Sequence, residues 1–313
     1  MYLSFFQLKD EPFRLTPDPR YLHLAEPHQV ALTMLLEGIL YRKGLVMVTG
    51  PIGTGKTTLV HTALQVFADK KMPVKSALLF NPTLTRDEFL EMMLEEFEVN
   101  CTASSKPRRL SALNEMLLQT QRRGSTSVLF IDEAHLLSSE LLEEIRLLGN
   151  ADMHHEKLLQ IVLSGQPELT EIMSRPELSA LQQRIAGRAE LRPLSLQETK
   201  AYIIERLRAG GLQGNSPFPG TLPEIIFAVT RGVPRLVNLV CGGCLALGYR
   251  THRTVIQQEM VEEVAESLGL AVPFSLAEKR SLFVEHPSPT AIQKTSVDLL
   301  IEAMKRNRVT VRG

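Results

Sequence analysis

The chain has 313 residues, 44% of them hydrophobic and 22% charged, an ordinary globular composition with room for about two domains. Thirty-five basic side chains balance thirty-five acidic ones, which excludes the uniformly basic body of a nucleic-acid coat and leaves only a local basic patch open. Three cysteines, Cys101, Cys241 and Cys244, exclude a disulfide scaffold and fit a reducing compartment.

The opening carries acidic residues and prolines where an export signal needs a basic stretch and a long apolar run. No segment comes near the roughly 18 apolar residues of a spanning helix. A cytoplasmic location without membrane insertion is expected.

In chain order, Ala31, Leu32, Leu35, Leu36, Ile39 and Leu40 recur at helical spacing between 28 and 41, and Gly44 stops that helix. A buried-type strand at 45–50 leads through a glycine turn into a helix at 56–68, and the next strand spans 74–80. Helices follow at 86–98 and 108–122, then a strand at 127–132, a helix at 139–148, a strand at 158–164, and a last strand, Ala-Glu-Leu-Arg-Pro-Leu, at 189–194. Continuous Val, Ile and Leu runs alternating with helices predict a doubly wound α/β domain on a parallel sheet. Beyond Ser195 the pattern is helical throughout. The expected organisation is an N-terminal segment and leading helix (1–44), a P-loop α/β core (45–195), a small all-helical lid (196–270) and a C-terminal extension (271–313) with a short helix at 296–306.

Gly50-Pro51-Ile52-Gly53-Thr54-Gly55-Lys56-Thr57 matches G-x-x-x-x-G-K-[ST] between a strand and a helix, the context in which backbone N–H groups wrap phosphates. Lys56 neutralises β and γ oxygens and the Thr57 hydroxyl ligates Mg²⁺, with Thr58 next along the helix. Val128 to Ile131 is an apolar strand ending in Asp132 and Glu133. Asp132 is the expected Mg²⁺ partner and Glu133 the expected base that polarises water, which points to ATP hydrolysis. The alternative, an exposed acidic loop, conflicts with the apolar strand before it. Ala134-His135 completes a tetrapeptide shared with one helicase class, but no helicase glycine and arginine motifs follow. The absence of Asn-Lys-x-Asp disfavours GTP.

The next strand ends Leu163-Ser164-Gly165-Gln166, and Gln166, chosen over Ser164, is the expected neighbour of the γ-phosphate; a plain loop is the competing reading. Arg184 and Arg188 precede the last expected strand, where a solvated charge is the ordinary reading. In the helical part, Gly232-Val233-Pro234-Arg235 puts Arg235 at a helix start, from which a guanidinium reaches a γ-phosphate. Cys241 and Cys244 have the spacing of half a zinc site but lack a second pair, so they read as small buried side chains. His154, His155 and His135 lack the companions of a transition-metal site.

The opening Met1-Tyr2 with Phe5-Phe6, the run Pro12-Phe13-Arg14-Leu15-Thr16-Pro17-Asp18-Pro19, the helix at His28, both nucleotide motifs, Ser164-Gly165-Gln166-Pro167-Glu168-Leu169, Gln183-Arg184-Ile185 and Gly232-Val233-Pro234-Arg235 together resemble the AAA+ ATPases. Within them the resemblance is to the branch around general secretion pathway protein A, the ExeA-like group, over residues 1–268. It implies a homo-oligomeric ATPase in which Gln166 is similar in place to sensor 1, Arg235 to sensor 2, and Arg184 to the finger that reaches a neighbour's ATP. It also implies protein partners in a secretion or export apparatus, through which the chain would meet the inner membrane. Secretion members of the branch continue into a membrane span and a peptidoglycan-binding domain, and the sequence to Gly313 carries neither. Similar short ATPases assemble on DNA and activate a transposase, so DNA is the alternative partner. The tail residues Lys305, Arg306, Arg308 and Arg312 are candidate phosphate contacts or solvated charges.

Overall fold

The computed structural model describes residues 2–16, 25–80, 82–103, 105–153 and 156–271. The helix expected at 296–306, the basic tail, His154 and His155 lie outside the described residues. The described residues divide into two units: one contains residues 2–16 and 25–26, Gly53–Thr58 and residues 192–271, the other Pro27–Ile52 and Leu59–Leu191.

A short helix, α1 (Tyr2–Phe5), opens the chain, and α2 (Glu26–Leu40) buries Ala31, Leu32, Leu35, Leu36 and Ile39, the stripe its periodicity predicts. Then come β1 (Leu45–Thr49), α3 (Lys56–Asp69), β2 (Val74–Leu79), α4 (Arg86–Glu96) and α5 (Lys106–Arg122). Thr85 starts α4 with a reciprocal capping box, its side chain accepting from Glu88 N–H while Glu88 accepts from Thr85 N–H. They are followed by β3 (Thr126–Ile131), α6 (Ser139–Leu148), a two-residue antiparallel pair β4 (Asp152–Met153) and β5 (Glu156–Lys157), and β6 (Leu159–Gly165). The α/β unit closes with α7 (Glu168–Met173), α8 (Ser179–Gln182) and β7 (Ile185–Glu190).

Five strands form one sheet in the order β2-β3-β6-β1-β7, every pairing parallel. All residues of β1, β3 and β6 are buried, as strands covered on both faces must be. Phe89, Met93 and Phe97 with Leu113, Leu117, Leu141 and Ile145 pack against Leu129, Ile131, Ile161 and Leu163 to make the core. The last strand is not where the sequence reading puts it: the pairing covers Ile185–Glu190, and the stretch from Leu191 to Leu194 lies beyond it. β7 is an edge strand that alternates half-buried with exposed residues, so it lacks the apolar run that marks the others, while Pro193 has no N–H for a ladder. Arg188 therefore lies within the strand, opposite Met47.

The other unit is helical: α9 (Leu196–Ala209), α10 (Leu222–Thr230), α11 (Pro234–Arg250) and α12 (Gln258–Ser267). Ser195 and Glu198 form the capping box of α9, and prolines occupy the first turns of α10 and α11. Ile203, Leu207, Ile226, Val237, Val240, Cys241, Cys244, Leu245 and Val261 form its core, joined by Phe6, Leu8 and Phe13 from the start of the chain. Arg206, 8% exposed, anchors that start by donating from Nε to the Pro12 carbonyl at 2.5 Å and from Nη2 to the Arg14 carbonyl at 3.0 Å. Lys9 and Asp10 N–H donate to the Gly210 carbonyl at 2.8 and 3.2 Å.

Candidate functional site

Strand β1 ends at Thr49, and the phosphate-loop residues follow before α3 begins at Lys56. Gly50 N–H donates to the Gly165 carbonyl at 3.3 Å, tying the loop's first residue to the end of β6. Gly53 has φ +80°, a left-handed conformation that a side chain strains. Thr54 and Lys56 are buried, Pro51, Gly55, Thr57 and Thr58 half-buried, and Ile52 is exposed. The loop thus delivers the chain to the N-terminus of a 14-residue helix, where unsatisfied N–H groups and the helix dipole favour an anion.

In the helical unit, which includes Gly53–Thr58, the start of α11 touches that glycine. Arg235 N–H donates to the Gly53 carbonyl at 3.2 Å, and a Cβ on Gly53 would lie 2.9 Å from Arg235 Cβ and 3.0 Å from Val233 Cγ1. Arg235 is thereby fixed by its main chain, following the turn at Gly232 and the proline at 234.

In the α/β unit, β3 and β6 run side by side, with Ile131 opposite Leu163, so their C-terminal ends bring Asp132 and Ser164 together. Ser164 Oγ donates to Asp132 Oδ1 at 2.9 Å, and the same oxygen accepts Glu133 N–H at 3.0 Å. Asp132 is 5% exposed and its own N–H donates to the Leu79 carbonyl. Glu133 adopts the left-handed region (φ 50°, ψ 35°) at the head of a single 3-10 turn, Ala134–Leu136. Its side chain is 44% exposed, yet Oε2 is buried without a hydrogen-bond partner, 3.5 Å from His135 Nδ1. Gln166 closes the group: its N–H donates to His135 Nδ1 at 3.4 Å, and its side-chain Nε2 is 2.9 Å from His135 Nε2.

Asp132, Glu133 and Gln166, all singled out in the sequence, thus meet at one end of the sheet. Ser164, passed over in favour of Gln166, is the residue that holds the Asp132 carboxylate. His135, read only as the end of a tetrapeptide, sits between Glu133 and Gln166; the tetrapeptide was the one signal that could have drawn attention to it.

Arg184 is half-buried and donates from Nη1 to the Arg146 carbonyl in the last turn of α6 at 2.7 Å, a cation where that helix's dipole is negative. The bond uses one of five guanidinium donors. Arg188 is exposed on β7. Cys241 and Cys244 are fully buried in the helical unit; burial pushes the Cys244 thiol up to about 12 and the Cys241 thiol far above its ordinary value. Among the described residues no helix is long and apolar enough to cross a membrane.

Residues 39–173 match the AAA domain family. The chain is 36% identical over 260 residues to General secretion pathway protein A of Aeromonas hydrophila, an alignment covering 82% of this chain and 46% of that protein, so the chain spans about half the relative's length. The fold is similar to that of the Aeropyrum pernix ORC2 protein solved in ADPNP-ADP complexes (TM-score 0.62, 16% identity, 83% of this chain and 72% of that one). It is similar also to Drosophila ORC bound to DNA (TM-score 0.65, 18% identity, 86% and 67%). With an AAA domain at 39–173, a parallel sheet between helices and a helical unit, the chain has the AAA+ P-loop ATPase fold and is a relative of General secretion pathway protein A.

Proposed function

We propose that the chain binds ATP with Mg²⁺, hydrolyses it, and uses the cycle to assemble or remodel protein partners of an export system. The observation that carries this reading is the buried Asp132 carboxylate, held by Ser164 beside Glu133 where parallel strands end and α/β sheets gather ligands. Gly50, Pro51, Ile52, Gly53, Thr54, Gly55 and Thr58 surround the phosphates, and Lys56 supplies their counter-charge. The Thr57 hydroxyl and Asp132 carboxylate are hard oxygen donors of the kind Mg²⁺ prefers, and two donors to one Asp132 oxygen fix the carboxylate's orientation for that task. When bound, the metal ion supplies charge neutralisation to the phosphate oxygens.

Glu133 takes the proton of the attacking water, Gln166 donates its amide to the γ-phosphate, and Arg235 reports the phosphate to the helical unit. Arg184 serves the site of a neighbouring subunit in a homo-oligomer. The identity to General secretion pathway protein A supports an export role, in the cytoplasm and at the inner membrane through partners.

The test is ATP turnover by the purified chain across a range of protein concentrations. Specific activity rises as subunits associate, and mixing Glu133→Gln with Arg184→Ala subunits recovers activity that neither has alone. No turnover at any concentration contradicts the reading. Stimulation by double-stranded DNA that fades with salt transfers it to a DNA-assembling ATPase that regulates transposition.

A further inference from the structure

Within the helical unit, the start of the chain and the glycine of the phosphate loop lie at the two ends of one run of contacts. At one end, Arg206 donates from Nε to the Pro12 carbonyl at 2.5 Å and from Nη2 to the Arg14 carbonyl at 3.0 Å. Four residues earlier on the same face of α9, the Tyr202 ring lies under that guanidinium, with 5.4 Å from its carbon to the ring centre. Tyr202 Oη donates to Asn238 Oδ1 on α11 at 3.0 Å. Asn238 stands one turn from Arg235, whose N–H donates to the Gly53 carbonyl at 3.2 Å.

Tyr202, Arg206 and Asn238 are all buried, so a bond lost here is not replaced by water, and the group left behind carries the cost of desolvation. Burial pushes the Tyr202 hydroxyl above its ordinary value, which keeps its proton in place as the donor to Asn238. The first residues also meet both helices directly. A Cβ on Gly211, just after α9, would lie 2.8 Å from Lys9 Cγ, and one on Gly248, in α11, 3.1 Å from Phe6 Cζ. A shift of α11 against α9 therefore disturbs the segment, and loss of the segment disturbs both helices.

We propose that residues 2–14 are a built-in control on the phosphate loop: docked on Arg206, they set Tyr202, Asn238 and the start of α11 so that Gly53 is held ready for nucleotide, and lifted off, they release it. Tyr202 and Asn238 are the positioning residues of this coupling. Because coupling is reciprocal, nucleotide on the loop tightens the docked segment by the factor by which the segment tightens nucleotide. The ligand rests on the ATPase reading, while the run of contacts from Pro12 to Gly53 rests on the geometry alone.

The experiment combines amide hydrogen exchange of the full chain with proteolysis and nucleotide binding. The Arg235 N–H lies in the first turn of α11, where a helix supplies no acceptor of its own, so its protection reports the bond to Gly53. Tyr202→Phe keeps the ring under Arg206 but removes the hydroxyl, and Arg206→Met frees the segment. Each speeds exchange at Arg235 about 5-fold or more, while the Val240 amide in the middle of α11 stays within about 2-fold. Each weakens ATP binding about 5-fold or more, and the double variant binds no more weakly than the weaker single one, as coupled residues require. In the parent, Mg²⁺ with a non-hydrolysable ATP analogue slows cleavage within residues 2–14 about 5-fold or more, and in Tyr202→Phe it does not. An Arg235 amide unprotected in the parent, unchanged by either variant, or matched by equal loss at Val240 overturns the proposal. So do additive losses of affinity, or an analogue that measurably binds yet leaves cleavage of the parent unchanged. A chain that binds no nucleotide contradicts the ATPase reading, and exchange at Arg235 then decides alone whether the segment holds Gly53.

Discussion

Arg235 N–H donates to the Gly53 carbonyl at 3.2 Å, so the start of α11 is joined to the phosphate-loop glycine through main chain and not through the guanidinium. The two roles of that position should therefore separate. Arg235→Ala retains the bond and the parent's melting temperature within about 2 °C, a shift that corresponds to about 1 kcal/mol. Gly53→Ala forces a side chain into φ +80° and into Arg235 Cβ at 2.9 Å, and is expected to cost about 1–2 kcal/mol or more as well as ATP affinity. Thermal melts with and without Mg-ATP check both.

Arg206 gives a second expectation. Replacing it with Met keeps the apolar stem but leaves the Pro12 and Arg14 carbonyls without their buried donor, at about 2–3 kcal/mol. The first residues should then become cleavable ahead of the rest of the chain in limited proteolysis. Unchanged cleavage kinetics would contradict the anchoring role.

Glu198 sets a pH window. Burial pushes its carboxyl up, but hydrogen bonds from Arg192 and Ser195 outweigh that and hold it below its ordinary value of 4.5. Because the folded value is the lower one, its contribution to stability is present above about pH 4.5 and lost as pH falls through the folded value. Glu198→Gln should cost about 1 kcal/mol at neutral pH, the size of a helix cap, and lose less than the parent between neutral pH and pH 3. Denaturant melts at both pH values measure this; parallel losses would contradict it.

The cysteines report on the helical core. With burial pushing Cys244 up to about 12 and Cys241 well above its ordinary value, a thiol reagent at pH 8 should modify only the half-buried Cys101 in the folded chain. All three should react after unfolding. Rapid modification of Cys241 in the native state would contradict the packing.

Much of this fold was legible because strands covered on both faces must be apolar without interruption: β1, β3 and β6 announce themselves in Leu45–Thr49, Thr126–Ile131 and Leu159–Gly165. Strand β7 did not, since an edge strand bearing Arg188 and Gly187 carries no such run, and the apolar residues just beyond it drew the expected boundary about four residues late. The phosphate loop and Asp132-Glu133 were legible because phosphate chemistry ties residue types to fixed spacing and context. Ser164 bonding Asp132, and His135 between Glu133 and Gln166, were not, because hydrogen bonds between residues 31 or 32 positions apart follow from strand register and leave no periodic trace. The burial of Phe6 and Phe13 beside Val237 and Val240 is likewise a product of tertiary packing.

The central claim is that Lys56 and Glu133 act on different steps of one reaction, and the most direct test measures ATP affinity and kcat separately in Lys56→Ala and Glu133→Gln. The account expects Lys56→Ala to lose nucleotide binding. It expects Glu133→Gln to bind ATP within about 3-fold of the parent while kcat falls about 10²–10⁴-fold, the range of a lost general base. Glu133→Gln turning over ATP at the parent's rate would contradict it.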